Sequence, residues 1–111
     1  MIIPTINLKE KIKEINGRPY HPIDVAKVNN QVVRIALYKG DYHWHEHTNE
    51  DELFYVLKGK MTIQMKYPYS NIILSEGQIT VVPKGVQHCP TSEEDTYVLM
   101  FEPIVLESKG N

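Results

Sequence analysis

Hydrophobic and polar residues alternate along most of the chain after residue 22, a pattern typical of β-strands with one buried face. The predicted strands are Ile23–Val28, Gln31–Tyr38, Tyr42–His47, Glu52–Lys58, Lys60–Lys66, Ile72–Leu74, Gln78–Val82 and Thr96–Glu102. The dipeptide Asn29-Asn30 predicts a hairpin between the first two strands. Many short strands separated by turn residues predict an all-β barrel or jelly-roll sandwich.

A helical pattern precedes these strands. Leu8, Ile12 and Ile15 form one apolar stripe at helical spacing, which predicts a short helix from Leu8 to Ile15. Asn7 is a suitable N-cap, and Asn16-Gly17 is a suitable end. At the other end of the chain, the polar tail from Glu107 to Asn111 is predicted to be mobile.

The predicted strand Glu52–Lys58 has apolar side chains on both faces. Phe54 and Val56 share the face of Glu52, and Leu53, Tyr55 and Leu57 occupy the other face. A small barrel has only one interior, so the second face must pack against the N-terminal segment or a second copy of the chain. We expect a homodimer.

Composition narrows the class of protein. A chain of 111 residues with 41% hydrophobic and 23% charged residues is typical of one globular domain. The net charge of -2 provides no basic patch, so we expect no nucleic-acid partner. No apolar run is long enough to span a bilayer, and no signal peptide is evident, so we expect a cytoplasmic protein without a membrane partner. The single cysteine, Cys89, excludes an internal disulfide.

The chemistry of the chain is concentrated in its histidines. His45 and His47 are two residues apart, Glu52 follows five residues later, and His88 lies far downstream. On a strand, residues i and i+2 point to the same face, whereas on a helix they diverge by about 200°. Three imidazoles and one carboxylate are ligands suited to a divalent transition metal such as Mn, Fe, Co, Ni, Cu or Zn. We therefore predict a metal site formed by these four residues.

A second assignment of the ligands is possible, because His43 and His45 show the same spacing and Glu50 follows four residues after His45. His43 has the same parity as His45 and His47, so it is either an accessory group beside the metal or a polar residue near the barrel mouth. Glu46, Glu50 and Asp51 are interpreted as a solvated loop. Trp44 alternates with the histidines and is expected to pack outside the barrel.

Glycines and a proline stand at regular distances around these ligands. They are Gly40, Gly59, Gly77, Pro83 and Gly85. With the histidines and Glu52, this pattern resembles the two motifs of the cupin superfamily, Gly-x5-His-x-His-x3,4-Glu-x6-Gly and Gly-x5-Pro-x-Gly-x2-His-x3-Asn. The first motif favours Glu52 over Glu50, because Gly59 follows Glu52 after six intervening residues. Two positions depart from the motifs: four residues instead of five separate Gly40 from His45, and Ser92 replaces the asparagine.

The resemblance implies a double-stranded β-helix, a jelly-roll barrel, as a single domain over residues 1–111 with its core at about 31–103. It is strongest to small single-domain cupins described as phosphomannose-isomerase-like. It also implies that related proteins dimerise by sharing terminal strands.

An ion bound by three histidines and one glutamate keeps about two of six coordination positions open. Open positions accept water, dioxygen or a chelating small molecule. Three interpretations follow: a metal-dependent enzyme, either an oxygenase or an isomerase; a non-catalytic sensor or binding module for a small molecule; or a metal-free structural protein. Open positions favour the first two, and the sequence identifies no catalytic residue beyond the accessory candidate His43.

Overall fold

The computed structural model describes residues 1–105 and 110. Within them, one helix and seven strands follow in order: α1 (Leu8–Ile15), β1 (Ile23–Val28), β2 (Gln31–Asp41), β3 (Glu52–Lys58), β4 (Lys60–Met65), β5 (Ile72–Ser75), β6 (Ile79–Val82) and β7 (His88–Pro103). The bounds of α1, β1 and β3 agree with the sequence prediction. The predicted mobile tail, Glu107 to Asn111, lies outside the described residues except for Gly110.

Helix α1 has the ends that its sequence predicts. The side chain of Asn7 accepts a hydrogen bond from Lys9 N at 2.9 Å, and Asn16 ends the helix in a left-handed conformation with φ of 54°. Ile15 is completely buried and packs with Ile35 and Leu37 of β2. The helix therefore covers part of the outer face of the sheet.

The strands pair antiparallel in the order β1-β2-β7-β3-β6, and β4 pairs with both β5 and β7. Val28 pairs with Gln31, which confirms the predicted hairpin at Asn29-Asn30. Strand β7 has 16 residues, many more than predicted, and it pairs with β2, β3 and β4. One long strand shared by several partners bends the sheet into the closed jelly roll that the sequence predicts.

Strand β7 bends around the short hairpin between β3 and β4. Gly59 lies between these strands with φ of +100°, directly against Thr96 of β7. The Thr96 hydroxyl accepts a hydrogen bond from Lys60 N at 3.1 Å, and it lies 2.7 Å from the hydroxyl of Ser92. These bonds hold the bend where the β2–β7 and β3–β7 registers both shift.

Two apolar clusters lie on opposite faces of the sheet. The interior cluster contains Ala36, Tyr38, Phe54, Val56, Met61, Ile63, Leu74, Val82, Val98 and Met100. The outer cluster contains Ile15, Ile35 and Leu37, and Leu57, Tyr97 and Leu99 pack against it. Both faces of β3 are therefore at least partly covered, as the sequence predicts, and the N-terminal helix contributes to the outer cover.

The prediction of a strand over Tyr42–His47 is wrong. The segment lies beside the start of β7, where Tyr42 N donates to Pro90 O at 2.9 Å and His45 forms an isolated bridge with His88. Pro90 has no N–H and cannot donate to a ladder. The segment therefore does not form a regular strand, but it still places His45 and His47 in the same cluster.

Candidate metal centre

The four predicted ligands come from three parts of the chain that the β7 strand brings together. His45 is joined to His88 by two backbone hydrogen bonds of 3.0 and 2.9 Å, which fix the loop against the first residue of β7. His47 O accepts a hydrogen bond from Gly85 N at 2.8 Å, so the loop before β7 also holds this segment. Glu52 is the first residue of β3 and points into the barrel.

Within the described part of the chain, His45, His47, Glu52 and His88 form a cluster that can hold a metal ion. One ligand atom from each residue lies within 4.8 Å of all the others. The Oε1 atom of Glu52 is 3.2 Å from His47 Nε2 and 3.5 Å from His88 Nε2. His47, Glu52 and His88 are at most 3% exposed, and His45 is half-buried at the mouth.

Backbone carbonyls orient two of the imidazoles. His45 Nδ1 lies 3.0 Å from His43 O, and His88 Nδ1 lies 2.9 Å from Val86 O. A carbonyl oxygen can only accept, so each Nδ1 carries the hydrogen. In the neutral form of each ring, the Nε2 atom then has a lone pair available for a metal.

Buried polar atoms without hydrogen-bond partners are a second observation that fits a metal ion at this site. Among the described residues, His47 Nδ1, His47 Nε2, Glu52 Oε1 and His88 Nε2 are buried without a hydrogen-bond partner. Buried polar atoms without partners are unfavourable by about 1–3 kcal/mol each. A cation at the centre of the cluster would compensate the Nε2 and Oε1 atoms.

The surroundings of His45 and Glu52 shift their pKa values towards the protonation states that bind metal. Burial, together with the neighbouring His88 and His47, lowers the pKa of His45 from 6.5 to about 4, against a raising effect of the His43 carbonyl. Burial alone would raise the pKa of Glu52, but the neighbouring side chains of His47, His88 and Glu102 outweigh it and lower the pKa to about 2. At neutral pH the site therefore has a neutral His45 and an ionised Glu52.

A narrow cavity leads to the cluster. It has a volume of about 20 Å³, and its walls are Tyr20, Pro22, Ala36, Tyr38, Tyr42, His45, Glu52, Phe54, Pro90 and Met100. This volume is about that of one water molecule. Tyr20 stacks on Tyr42 with ring centroids 4.7 Å apart and contacts Tyr38 at 5.0 Å, so aromatic rings form much of the wall.

Other residues considered from the sequence lie outside the four-residue cluster. The exposed His43 packs against Tyr42, with ring centroids 3.9 Å apart, and contributes its carbonyl to His45. Glu46 and Glu50 are not part of the cluster, and the exposed Asp51 accepts a hydrogen bond from Lys84 N. Trp44 is exposed, as expected, and its ring lies below the Lys66 ammonium at 4.7 Å.

Sequence reasoning missed a second buried carboxylate. Glu102 lies on β7 beside the site, its side chain is fully buried, and it pairs with Arg34 of β2 at 2.8 Å. Burial and the neighbouring Glu52 carboxylate raise the pKa of Glu102 to about 8, although Arg34 acts in the opposite direction. The signal was present in the sequence: Val98, Met100 and Glu102 share one face of the last predicted strand, so an acidic residue continues a buried apolar row.

Comparison with known proteins identifies the family. Residues 33–104 match the cupin domain family, and the chain belongs to it. A solved cupin-2 domain containing protein from Shewanella frigidimarina superposes with a TM-score of 0.84 at 31% identity, covering 89% of this chain and 94% of that one. The protein NMB1881 from Neisseria meningitidis superposes with a TM-score of 0.80 at 28% identity, covering 90% and 99% of the two chains.

Two curated relatives differ in what they suggest. The uncharacterized protein YdbB of Bacillus subtilis is 36% identical over 78 residues, which are 70% of this chain and 68% of YdbB. The 3-hydroxyanthranilate 3,4-dioxygenase of Xenopus laevis is 27% identical over 104 residues. These residues are 87% of this chain and 36% of the dioxygenase, so the chain spans about a third of that enzyme.

Among the described residues, no helix has the length and apolar character needed to cross a membrane.

Proposed function

We propose that this cupin binds one divalent transition metal through His45, His47, Glu52 and His88 and presents it to a small organic ligand. The observation that carries the proposal is the set of buried imidazole and carboxylate atoms that have no partner among the described residues and converge within 4.8 Å. The bound ion would supply Lewis-acid chemistry and, if redox-active, electron transfer.

The residues of this chain divide the remaining tasks. Carbonyls of His43 and Val86 fix the tautomers of His45 and His88. The Tyr38 hydroxyl is buried on the cavity wall and donates a hydrogen bond to the sulfur of Met100 at 3.2 Å. Thioether sulfur is a weak acceptor, so this phenol is a suitable donor to an oxygen atom of a ligand. Burial raises the pKa of Tyr38 well above 10, which keeps the phenol protonated.

Metal content tests the proposal directly. Untagged protein that has not been exposed to a chelator should contain about one equivalent of a transition metal, measured by plasma mass spectrometry. Protein purified without metal should reach this content after reconstitution. His47→Gln should lower this content, whereas His21→Gln, which changes an exposed histidine outside the cluster, should not. Less than about a tenth of an equivalent after reconstitution would refute metal binding.

For the reaction, we propose an oxygenase acting on a small substrate that chelates the metal through oxygen atoms. The support is the 27% identity to a dioxygenase across most of this chain. Diketones, hydroxy acids, aminophenols and sugar phosphates should be screened with Fe, Mn, Ni and Zn, in air and under nitrogen. Oxygen uptake coupled to substrate loss supports the oxygenase, and conversion under nitrogen supports an isomerase instead.

A non-catalytic module that binds a small molecule is the second candidate, and the small cavity is consistent with it. A volume of about 20 Å³ suits a small ligand at the metal better than a bulky substrate. Ligand binding without conversion, with every metal tested, would establish this candidate over the enzyme. His43 remains an accessory candidate at the mouth, and His43→Gln should change specificity if it contacts the ligand.

We also propose that the protein is a cytoplasmic homodimer. An apolar row crosses the outer face of the sheet through paired residues Val33, Phe101, Leu53 and Val81. Phe101 and Val81 are 40% and 48% exposed. In contrast, Ile35 and Leu37 are buried beneath Ile15 of α1. Light scattering at micromolar concentration should give a dimer mass, and Phe101→Lys should lower it. Ile73→Lys, at an exposed apolar position on β5, is the control. A monomer mass for the unmodified protein contradicts the dimer.

A further inference from the structure

The buried carboxyl of Glu102 has a position that ordinary packing does not explain. Leu53 of β3 pairs with Phe101 of β7, so Glu52 and Glu102 are opposite each other on the inner face. On its other side Glu102 pairs with Val32, which is completely buried. Like charges directly opposite each other on a sheet are destabilising, and burial increases the effect. An apolar residue would suit the core at this position.

The carboxyl of Glu102 nevertheless has a defined partner on one side and a metal-site residue opposite it on the other. One side is the side chain of Arg34, whose Nη1 donates to Glu102 Oε1 at 2.8 Å. Arg34 is itself fixed from the other direction, because its Nε donates to Asp24 Oδ1 at 3.0 Å. The other side faces the carboxyl of Glu52, which lies opposite Glu102 in the β3–β7 register. A row of acidic and basic side chains therefore crosses the sheet, from Asp24 through Arg34 and Glu102 to the facing Glu52.

Glu102 does not face the ligand cavity. The cavity wall includes Glu52 and Met100 but not Glu102, and the cluster of possible metal ligands does not contain Glu102 either. Its influence on the site therefore passes through Glu52. Among the described residues the buried Oε2 atom of Glu102 has no hydrogen-bond partner, so it is available to the facing Glu52 carboxyl.

We propose that Glu102 is a positioning residue, which holds the Glu52 carboxylate in the orientation that binds metal and is itself held by Arg34. This inference rests on the proposed metal site. Groups that hydrogen-bond to metal ligands typically contribute roughly 10- to 100-fold to metal affinity. The alternative is a purely structural ion pair between Glu102 and Arg34, which would affect folding and leave the metal site unchanged.

Three substitutions separate these roles. Glu102→Gln keeps a polar group towards both neighbours, because the amide oxygen can accept from Arg34 and the amide N–H can donate to Glu52. Glu102→Asp keeps the carboxyl group and can still pair with Arg34, but its shorter side chain withdraws the carboxyl from Glu52. Glu102→Met keeps the length of the side chain and removes both contacts. Met61→Ala is the control for general destabilisation, since Met61 is buried on β4 and is not part of the site.

The measurements are the dissociation constant for Co²⁺, determined by competition with a chelator, and the visible absorption spectrum of the Co²⁺-loaded protein. We expect Glu102→Asp and Glu102→Met to weaken Co²⁺ binding by roughly 10- to 100-fold and to shift the spectrum. Glu102→Gln should stay within about threefold of the unmodified protein with a similar spectrum. Met61→Ala should lower thermal stability while its affinity and spectrum stay unchanged.

Each outcome is decisive. Unchanged Co²⁺ affinity and spectrum in folded Glu102→Asp overturn the positioning role, and so does a Glu102→Gln variant that loses as much affinity as Glu102→Asp. If Glu102→Met does not fold, the contrast between the Asp and Gln variants still decides. Failure of the unmodified protein to bind Co²⁺ or any other transition metal overturns the proposed metal site, which is a different result.

Discussion

Replacing Gly59 by alanine tests how the β3–β4 turn holds the bend of β7. A Cβ built at Gly59 would lie 2.5 Å from Thr96 Oγ1, 2.8 Å from Asp95 O and 2.9 Å from Thr96 Cα. Two of these atoms belong to the backbone of β7 and cannot rotate away. The third belongs to the hydroxyl that bonds to Lys60 N. Gly77 provides a matched control, because its φ of +84° is also positive but nothing lies within 4 Å of its Cβ position.

The two variants share some energy terms and differ in one. A positive φ destabilises a non-glycine residue by about 1–2 kcal/mol in both variants. Both also gain about 0.4–1 kcal/mol from the reduced entropy of the unfolded chain. Gly59→Ala alone forces atoms into a packed space, which destabilises by about 1–3 kcal/mol. The difference between the variants is therefore about 1–3 kcal/mol, or roughly 5 to 20 °C in the unfolding midpoint.

Thermal unfolding of the two metal-free variants, followed by circular dichroism in the same buffer, measures this difference. We expect Gly59→Ala to unfold at the lower temperature. Midpoints within about 2 °C of each other would show that β7 moves away at little energetic expense, and the reasoning from the short contacts would be wrong.

The remaining predictions concern the site. Glu52→Gln should weaken metal binding by more than about a hundredfold in a chelator competition, because outer partners alone account for roughly 10- to 100-fold; Glu50→Gln should not, and equal effects would reject Glu52 as the ligand. The pKa of His45 is about 4 in the folded protein and 6.5 for an unperturbed histidine. As the pH falls, His45 is therefore protonated in the unfolded chain before it is protonated in the folded protein. The metal-free protein should lose stability as the pH falls from 6.5 towards 4, and unfolding midpoints of His45→Gln should change less over this range. Tyr38→Phe should keep its midpoint, since the hydroxyl bonds to a sulfur atom, but should weaken binding of a catechol probe to the Co²⁺-loaded protein; unchanged probe affinity would exclude this role for Tyr38.

Local patterns were sufficient where the determining contacts lie within the element itself. Helix α1 has its predicted bounds because Asn7 and Asn16 form its caps from within the local sequence. Strand β3 has its predicted bounds because it is a continuous apolar run that begins after Glu52 and ends before Gly59. The hairpin between β1 and β2 follows from Asn29-Asn30 for the same reason.

Local patterns failed where a distant partner determines the conformation. The segment Tyr42–His47 alternates like a strand, but its neighbour in space contains Pro90, which cannot donate a ladder hydrogen bond. Strand β7 begins at His88 rather than at Thr96, because β4 and β2 provide hydrogen-bond partners for residues that read as a loop in isolation.

The sequence by itself determined the jelly-roll class, the short helix and the identity of the four clustered residues, because strand alternation and motif spacing are properties of the chain alone. Only the tertiary structure decided how the cluster is supported. The carbonyl partners of His45 and His88, the buried atoms without partners and the facing positions of Glu52 and Glu102 depend on which strands become neighbours. Glu52 begins β3 and Glu102 lies near the end of β7, so they are far apart in the sequence. The antiparallel register of β3 and β7 places them opposite each other.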